Sequence, residues 1–364
     1  MSRVVYLHVG APKTGTTYLQ DRLTRNARTL ARHGVHVPTG SPLVTPALFQ
    51  FRAALDLLGQ DWGGAPGHAR GAWDTLVRKV SRMDGTVVVS HEILAPAPPE
   101  RAARAVRELG DGAEVHLVYS ARDLARQLPA AWQESIKQGR KWRYRRFLRL
   151  SQEGRTWFSR AFDLPKVLET WGADLPPERI HLVTVPAPGS APRDELWLRF
   201  CTALGIDPAW APRDSDQANR SLGTAETQLI RRLNRRLDRA TRREASFDEL
   251  IRGMLAQDEL VRRNSPAVRM PPALHPWAAE QAERWIGWVR DSGVHVVGDL
   301  DDLRPVPQPD GEPWRDPDKV RAKRQLGAAV DALAAMTTEA ARRRDPDDRL
   351  LARAREATGR WRER

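Results

Sequence analysis

The sequence predicts an α/β protein, a parallel sheet flanked by helices and followed by a largely helical C-terminal half. Three observations predict it. Four short runs rich in β-branched residues, Val4 to Val9, Thr86 to Val89, Val115 to Tyr119 and Ile180 to Val185, read as buried strands. Helical patterns separate them, the alternation expected of a parallel sheet that binds ligands at the carboxyl ends of its strands. A glycine-framed loop, HVGAPKTGTTYLQ from His8 to Gln20, follows the first run directly.

After that loop, Leu19, Leu23, Ala27 and Leu30 recur at near-helical spacing, and His33-Gly34 supplies a stop. From Asp194 onward the pattern is mostly helical. Leu229, Ile230, Leu233 and Leu237 form an apolar stripe along QLIRRLNRRLDRA, with the arginines expected largely on the other face. A late strand-like run, VHVVGDL from Val294, precedes RPVPQPDGEP, whose prolines and glycine read as a linker. The predicted organisation is one domain over residues 1–305, then a proline-containing linker and charged helical tail over 306–364.

The formal net charge of +13 favours anionic partners, whether phosphorylated cofactor, acidic substrate, nucleic acid or lipid headgroup. Arginine supplies almost all of the positive charge. Cys201 is the only cysteine, which excludes an intramolecular disulfide or a thiolate metal cluster within one chain and fits a reducing, cytoplasmic setting. The first apolar run is too short, and too soon followed by Lys13, to read as a signal peptide. No apolar stretch approaches the ~20 residues of a membrane span, so association with a membrane is expected to be peripheral at most.

A Walker A loop is G-x-x-x-x-G-K-[ST], its lysine reaching the β and γ phosphates. Here the frame is Gly10, four residues, Gly15, then Thr16-Thr17, with the cation displaced upstream to Lys13. The strand, the P-loop-like turn and the helix start remain, so backbone N–H groups can still cradle an anion. The strand end VVVSHE lacks the aspartate a Walker B strand offers to magnesium, and no metal is implied.

This arrangement, APKTGTTYLQ after the first strand, resembles the 5′-phosphosulfate loop of sulfotransferases that use 3′-phosphoadenosine 5′-phosphosulfate, whose pattern P-K-[ST]-G-T-T-[WY]-L is met at every position. The resemblance runs over residues 1 to about 305 and weakens in the helical half. It implies a P-loop-NTPase-like fold, with that compound as cofactor. By the same resemblance, Lys13 bridges the leaving phosphate oxygen and the sulfuryl group. Thr14, Gly15, Thr16 and Thr17 hold the 5′-phosphate, the threonines as hydroxyl donors, and Tyr18 stacks on adenine.

The family grips the 3′-phosphate with a strand-end arginine and a serine eight residues later. Arg122 matches the first, whereas Ala130 stands at the second, leaving Gln127, Gln133 and Ser135 as substitutes to consider. Asn219 and Ser221, before a late helix, are further candidates for this phosphate, or else a polar cap on that helix. The resemblance also implies a catalytic base at a later strand end, where VVVSHEIL offers His91 and Glu92. Neighbouring strand residues face opposite ways. Glu92 is the favoured choice, with Ser90 on its side and its pKa tuned by burial and Lys13.

The stretch KQGRKWRYRRFLRL, residues 137–150, mixes cations with Trp142, Tyr144 and Phe147, and is expected to form part of an acceptor lid. The expected partner is a small-molecule or carbohydrate acceptor with a hydroxyl group, with no stable nucleic-acid partner. Two other readings stand beside this one. They are a nucleotide kinase with an altered loop, and a non-catalytic nucleotide- or nucleic-acid-binding protein. Oligomeric state is left open.

Overall fold

The computed structural model describes residues 3–41, 43–216, 221–263, 265–306 and 313–343. Its centre is a six-stranded sheet in the order β2-β3-β1-β4-β5-β6, formed by Arg3–His8 (β1), Val35–His36 (β2), Thr86–Ser90 (β3), Ala113–Ala121 (β4), Ile180–Thr184 (β5) and His295–Val297 (β6). Every pairing is parallel. The four β-branched runs are therefore strands, with ends shifted by one or two residues. The short β2 is too brief to show a period.

Both faces of the sheet are covered, as the apolar strands require. Val5, Leu7, Val87, Val89, Leu117 and Tyr119 enter the larger core, while Val88, Val118 and Val183 meet Leu19, Leu23, Trp197 and Phe200 on the opposite face. The helix Thr16–Arg25 follows the loop and buries Leu19 and Leu23 against this second face. Thr45 caps the helix Pro46–Leu58 by accepting from the Leu48 amide, Pro46 supplies a ready-made first turn, and Gly59 ends it in the left-handed conformation.

The helix Thr224–Arg236 follows the expected stripe only in part. Ile230 is fully buried, Leu229, Leu233 and Leu237 pack half-buried against the core, and Arg232, Arg235 and Arg236 are exposed, but Thr227, Gln228, Arg231 and Asn234 are buried as well. The cause is a run of carbonyls that need donors. Asn234 Nδ2 donates to the carbonyls of Ile136 and Arg140, and Arg231 Nη1 donates to that of Lys141. A buried polar face is stable where each group finds such a partner.

The segment after the linker docks tightly. Asp318 accepts from the Tyr144 and Arg145 amides, satisfying the N-terminus of the helix Tyr144–Gln152, and Asp316 pairs with Arg145. The helix Ala322–Arg342 packs on Thr224–Arg236 and on the π-helix Asp248–Glu259. This arrangement corrects the acceptor-lid expectation for residues 137–150. Tyr144 and Phe147 are fully buried, so their rings are not stacking surfaces. The exposed arginines form the solvated side of an amphipathic helix.

No helix among the described residues is long and apolar enough to cross a membrane.

Candidate active site

The loop after β1 is the only described place where a residue other than glycine takes a positive φ, Lys13 at 68°. Strain of this kind costs of order 1–2 kcal/mol and persists where surrounding structure fixes it. The fixing contacts are plain. Gln127 Nε2 donates to the Pro12 carbonyl at 2.9 Å, Arg122 Nη1 to the Lys13 carbonyl at 3.1 Å, and Thr14 Oγ1 to the Ala11 carbonyl.

The Thr14 contact revises an expectation. Its single hydroxyl proton closes the loop and is not free for a phosphate. Gly15 has φ 90°, and an added Cβ would lie 2.5 Å from Leu196, so only glycine fits there. No side chain caps the following helix, leaving its first N–H groups without an intrahelical or capping partner. Thr16 is buried and Thr17 exposed at that helix start. Tyr18 is half-buried against the second core, its hydroxyl accepting from Arg22 at 2.9 Å.

Arg122 reaches the same loop from the end of β4. Asp123 offsets its charge only in part, because that carboxylate caps the next helix at Arg126 and pairs with the Arg126 side chain. The Arg122 Nε is buried without a partner. Burial, and then the neighbouring Arg126, push its pKa down to about 10. Of the substitutes for the missing serine, Gln127 reaches the loop and uses one of its two amide N–H groups on Pro12, Gln133 donates to Leu222 and Thr227, and Ser135 donates to Trp132. None supplies a free hydroxyl donor. Ser221 is exposed, and Asn219 lies outside the described residues.

Glu92 and His91 follow β3, which pairs directly with β1. Gln20 Nε2 lies within 3.0 Å of the Ser90 carbonyl, 3.3 Å of Ser90 Oγ and 3.4 Å of Glu92 Oε2, so Ser90 and Glu92 share one side. The His91 ring lies 5.2 Å from that of Phe51, and its Nδ1 accepts from the Ile93 amide at 3.2 Å and stands 3.9 Å from Glu92 Oε2. Burial lowers the His91 pKa, with Glu92 opposing and Arg252 adding to the effect.

Glu92 rests directly on the loop, and Gly10 is what lets it. A Cβ on Gly10 would lie 2.7 Å from the Glu92 Cβ and 2.9 Å from its Cα, at φ 80°. Gly10→Ala is therefore expected to cost about 2 kcal/mol or more of folding free energy, from left-handed strain plus the clash. A chemical-denaturation midpoint unchanged from the native protein would refute this.

Two features escaped the sequence reading. His8 is fully buried behind the loop, its ring nitrogens 2.8 Å from Ser90 Oγ and 2.9 Å from Ser120 Oγ, tying together the ends of β3, β1 and β4. Burial is the largest cause of its pKa falling to about 4, so it is neutral at physiological pH. The second is Glu134. Lys13 Nζ pairs with this carboxylate at 3.0 Å, and not with Glu92, while Arg252 and Lys137 approach it at 3.1 Å and 3.8 Å. Lys137 lies three residues on in the same helix, but Lys13 and Arg252, which give the carboxylate its meaning, are far away in sequence.

Burial alone would raise the Glu134 pKa, but Lys13, Arg252 and Lys137 together hold it down at about 2. A carboxylate depressed on folding contributes stability that is complete above its unfolded pKa, near 4.5, and is lost as pH falls toward 2. Glu134→Ala is expected to cost about 3 kcal/mol at neutral pH by stranding three cations around an empty space. Glu134→Gln should flatten the decline in stability between pH 4.5 and 2, followed by urea midpoints across that range. A variant whose acid limb matches the native protein would contradict the assignment.

A separate cavity of about 840 Å³, with Arg263, Arg269, Trp314 and Arg324 among its walls, includes none of the loop residues.

No protein-family model matches the chain, and no curated protein matches it. Among solved structures, it is similar to a crystal structure of a sulfotransferase from Alicyclobacillus acidocaldarius. The likeness has 13% sequence identity, covers 66% of this chain and 98% of that one, and has a TM-score of 0.34. Likeness at this level carries no argument about activity.

Proposed function

We propose that the chain is a sulfotransferase that moves a sulfuryl group from 3′-phosphoadenosine 5′-phosphosulfate to an acceptor hydroxyl. The observation that carries the reading is the meeting of Lys13 and Arg122, 109 residues apart in sequence, on one glycine-framed loop. The residues fit such a cofactor. Gly15 admits close approach, the uncapped helix start offers N–H donors, and the Arg122 Nε lacks a partner.

When bound, the cofactor supplies an activated sulfuryl group. Lys13 would neutralise negative charge as the donor S–O bond breaks. Glu92, beside Gly10, would take the acceptor proton as the new O–S bond forms. Gln20, Ser90 and His8 would keep Glu92 and the strand ends in register. The loop and helix start would hold the 5′-phosphate, and Arg122 the 3′-phosphate.

Titration calorimetry without magnesium tests the reading. 3′-Phosphoadenosine 5′-phosphate is expected to bind more tightly than ADP, and Arg122→Ala should erase most of that preference, a loss of about 2 kcal/mol for a charge-assisted contact. Equal affinity for the two nucleotides, or an absolute need for magnesium, would overturn the assignment and favour a kinase.

A further inference from the structure

The wall beside Glu92 carries two groups that the loop chemistry does not use. The first is aromatic. Trp62 is 39% exposed, its ring stands edge-on to Phe51 at 5.2 Å, and Phe51 in turn lies 5.2 Å from His91. His91 Nδ1 is 3.9 Å from Glu92 Oε2, so this row of rings ends at the candidate base. The turn that presents Trp62 is built for the purpose. Gly63 has φ 77°, and a Cβ there would press on the Phe51 ring at 3.2 Å. Trp62 Nε1 donates to Gln60 Oε1 at 2.8 Å, which fixes the indole.

The second group is cationic. Arg252 sits within the π-helix Asp248–Glu259, a rare form of helix that recurs at functional sites. It is 36% exposed and shares Glu134 with Lys13 and Lys137, three cations to one carboxylate. Its charge is felt at His91. If Lys13 turns to a phosphosulfate, Glu134 still has Lys137, and Arg252 keeps capacity for another anion.

Resting on the sulfotransferase reading, we propose that the acceptor is a ring-bearing hydroxyl compound carrying an acid group, its ring stacked on Trp62 and its anion held by Arg252. An exposed indole joined to the base through Phe51 and His91, with a guanidinium held on Glu134 nearby, suits an aryl or a pyranose ring equally, since both stack on indole.

Two matched pairs of probes test this and separate the two sources of ring, 4-hydroxybenzoate against phenol and glucuronate against glucose. Binding is measured on the full chain by calorimetry or saturation-transfer NMR, with and without 3′-phosphoadenosine 5′-phosphate. In at least one pair the acid is expected to bind about tenfold more tightly than its neutral partner. Arg252→Gln should abolish that ratio, and Trp62→Ala should weaken both members of the pair about tenfold. Nucleotide affinity should be unchanged in both variants. Because Glu134 keeps two cations in Arg252→Gln and Trp62 is exposed, both variants should fold, which a thermal melt checks. Equal binding of acid and neutral probes, a ratio that survives Arg252→Gln, or no binding of either acid would overturn the proposal. Failure of the sulfotransferase reading is seen separately, as absent nucleotide binding by the native protein, while the acid-to-neutral ratio is still read without nucleotide.

Discussion

On the proposed reading, Lys13→Ala is expected to lower sulfuryl transfer by about 100- to 1,000-fold, mostly in kcat, the loss typical of removing one preorganised charge from a transition state. The expectation follows from where the ammonium is held. Lys13 has a left-handed backbone and an ammonium 3.0 Å from a buried carboxylate, so its position is set before any ligand arrives. Glu134 retains Lys137 and Arg252 in the variant, so the protein should still fold. Lys13→Gly, which relieves the backbone strain, should be as inactive as Lys13→Ala; single-turnover assays of both separate charge from strain. Sulfuryl transfer within tenfold of the native protein would remove Lys13 from the proposed mechanism.

Glu92→Gln is expected to lower turnover by about 100- to 10,000-fold, the range for losing a general base. Glutamine keeps the volume beside Gly10 and can still accept from Gln20, so binding of 3′-phosphoadenosine 5′-phosphate should hardly change. His91→Ala is expected to matter much less, because His91 packs toward Phe51 while Glu92 lies against the loop. The opposite ranking in a side-by-side kcat measurement would make His91 the base.

The parts of this site that were legible in sequence are those written in neighbouring residues. The loop is a continuous run, and the strand that carries Arg122 announces itself by β-branched residues. Glu134 was not legible, because its meaning comes from three cations brought from the loop, its own helix and the π-helix. His8 hid inside an apolar strand, where a histidine reads as an interruption; its partners Ser90 and Ser120 lie on two other strands. The helix Thr224–Arg236 was legible only in part. Its apolar stripe does meet the core, with Ile230 fully buried, but the periodicity could not show the second, polar buried face, which the carbonyl groups of Ile136, Arg140 and Lys141 require. The stretch 137–150 looked like a ligand surface because its aromatic residues were visible and the aspartates that dock it, Asp316 and Asp318, stand far along the chain.

The central place of β1 in the sheet bears on how the chain is made. Val4 pairs with Thr86 on one side and Glu114 on the other, so β1 is not paired on both sides until the chain has been made through β4. At ordinary synthesis rates that wait is on the order of ten seconds. During it an apolar segment and its glycine loop are without a sheet, open to chaperones and to mispairing with other nascent chains. The loop built on β1 is therefore complete only after β3 and β4 have emerged.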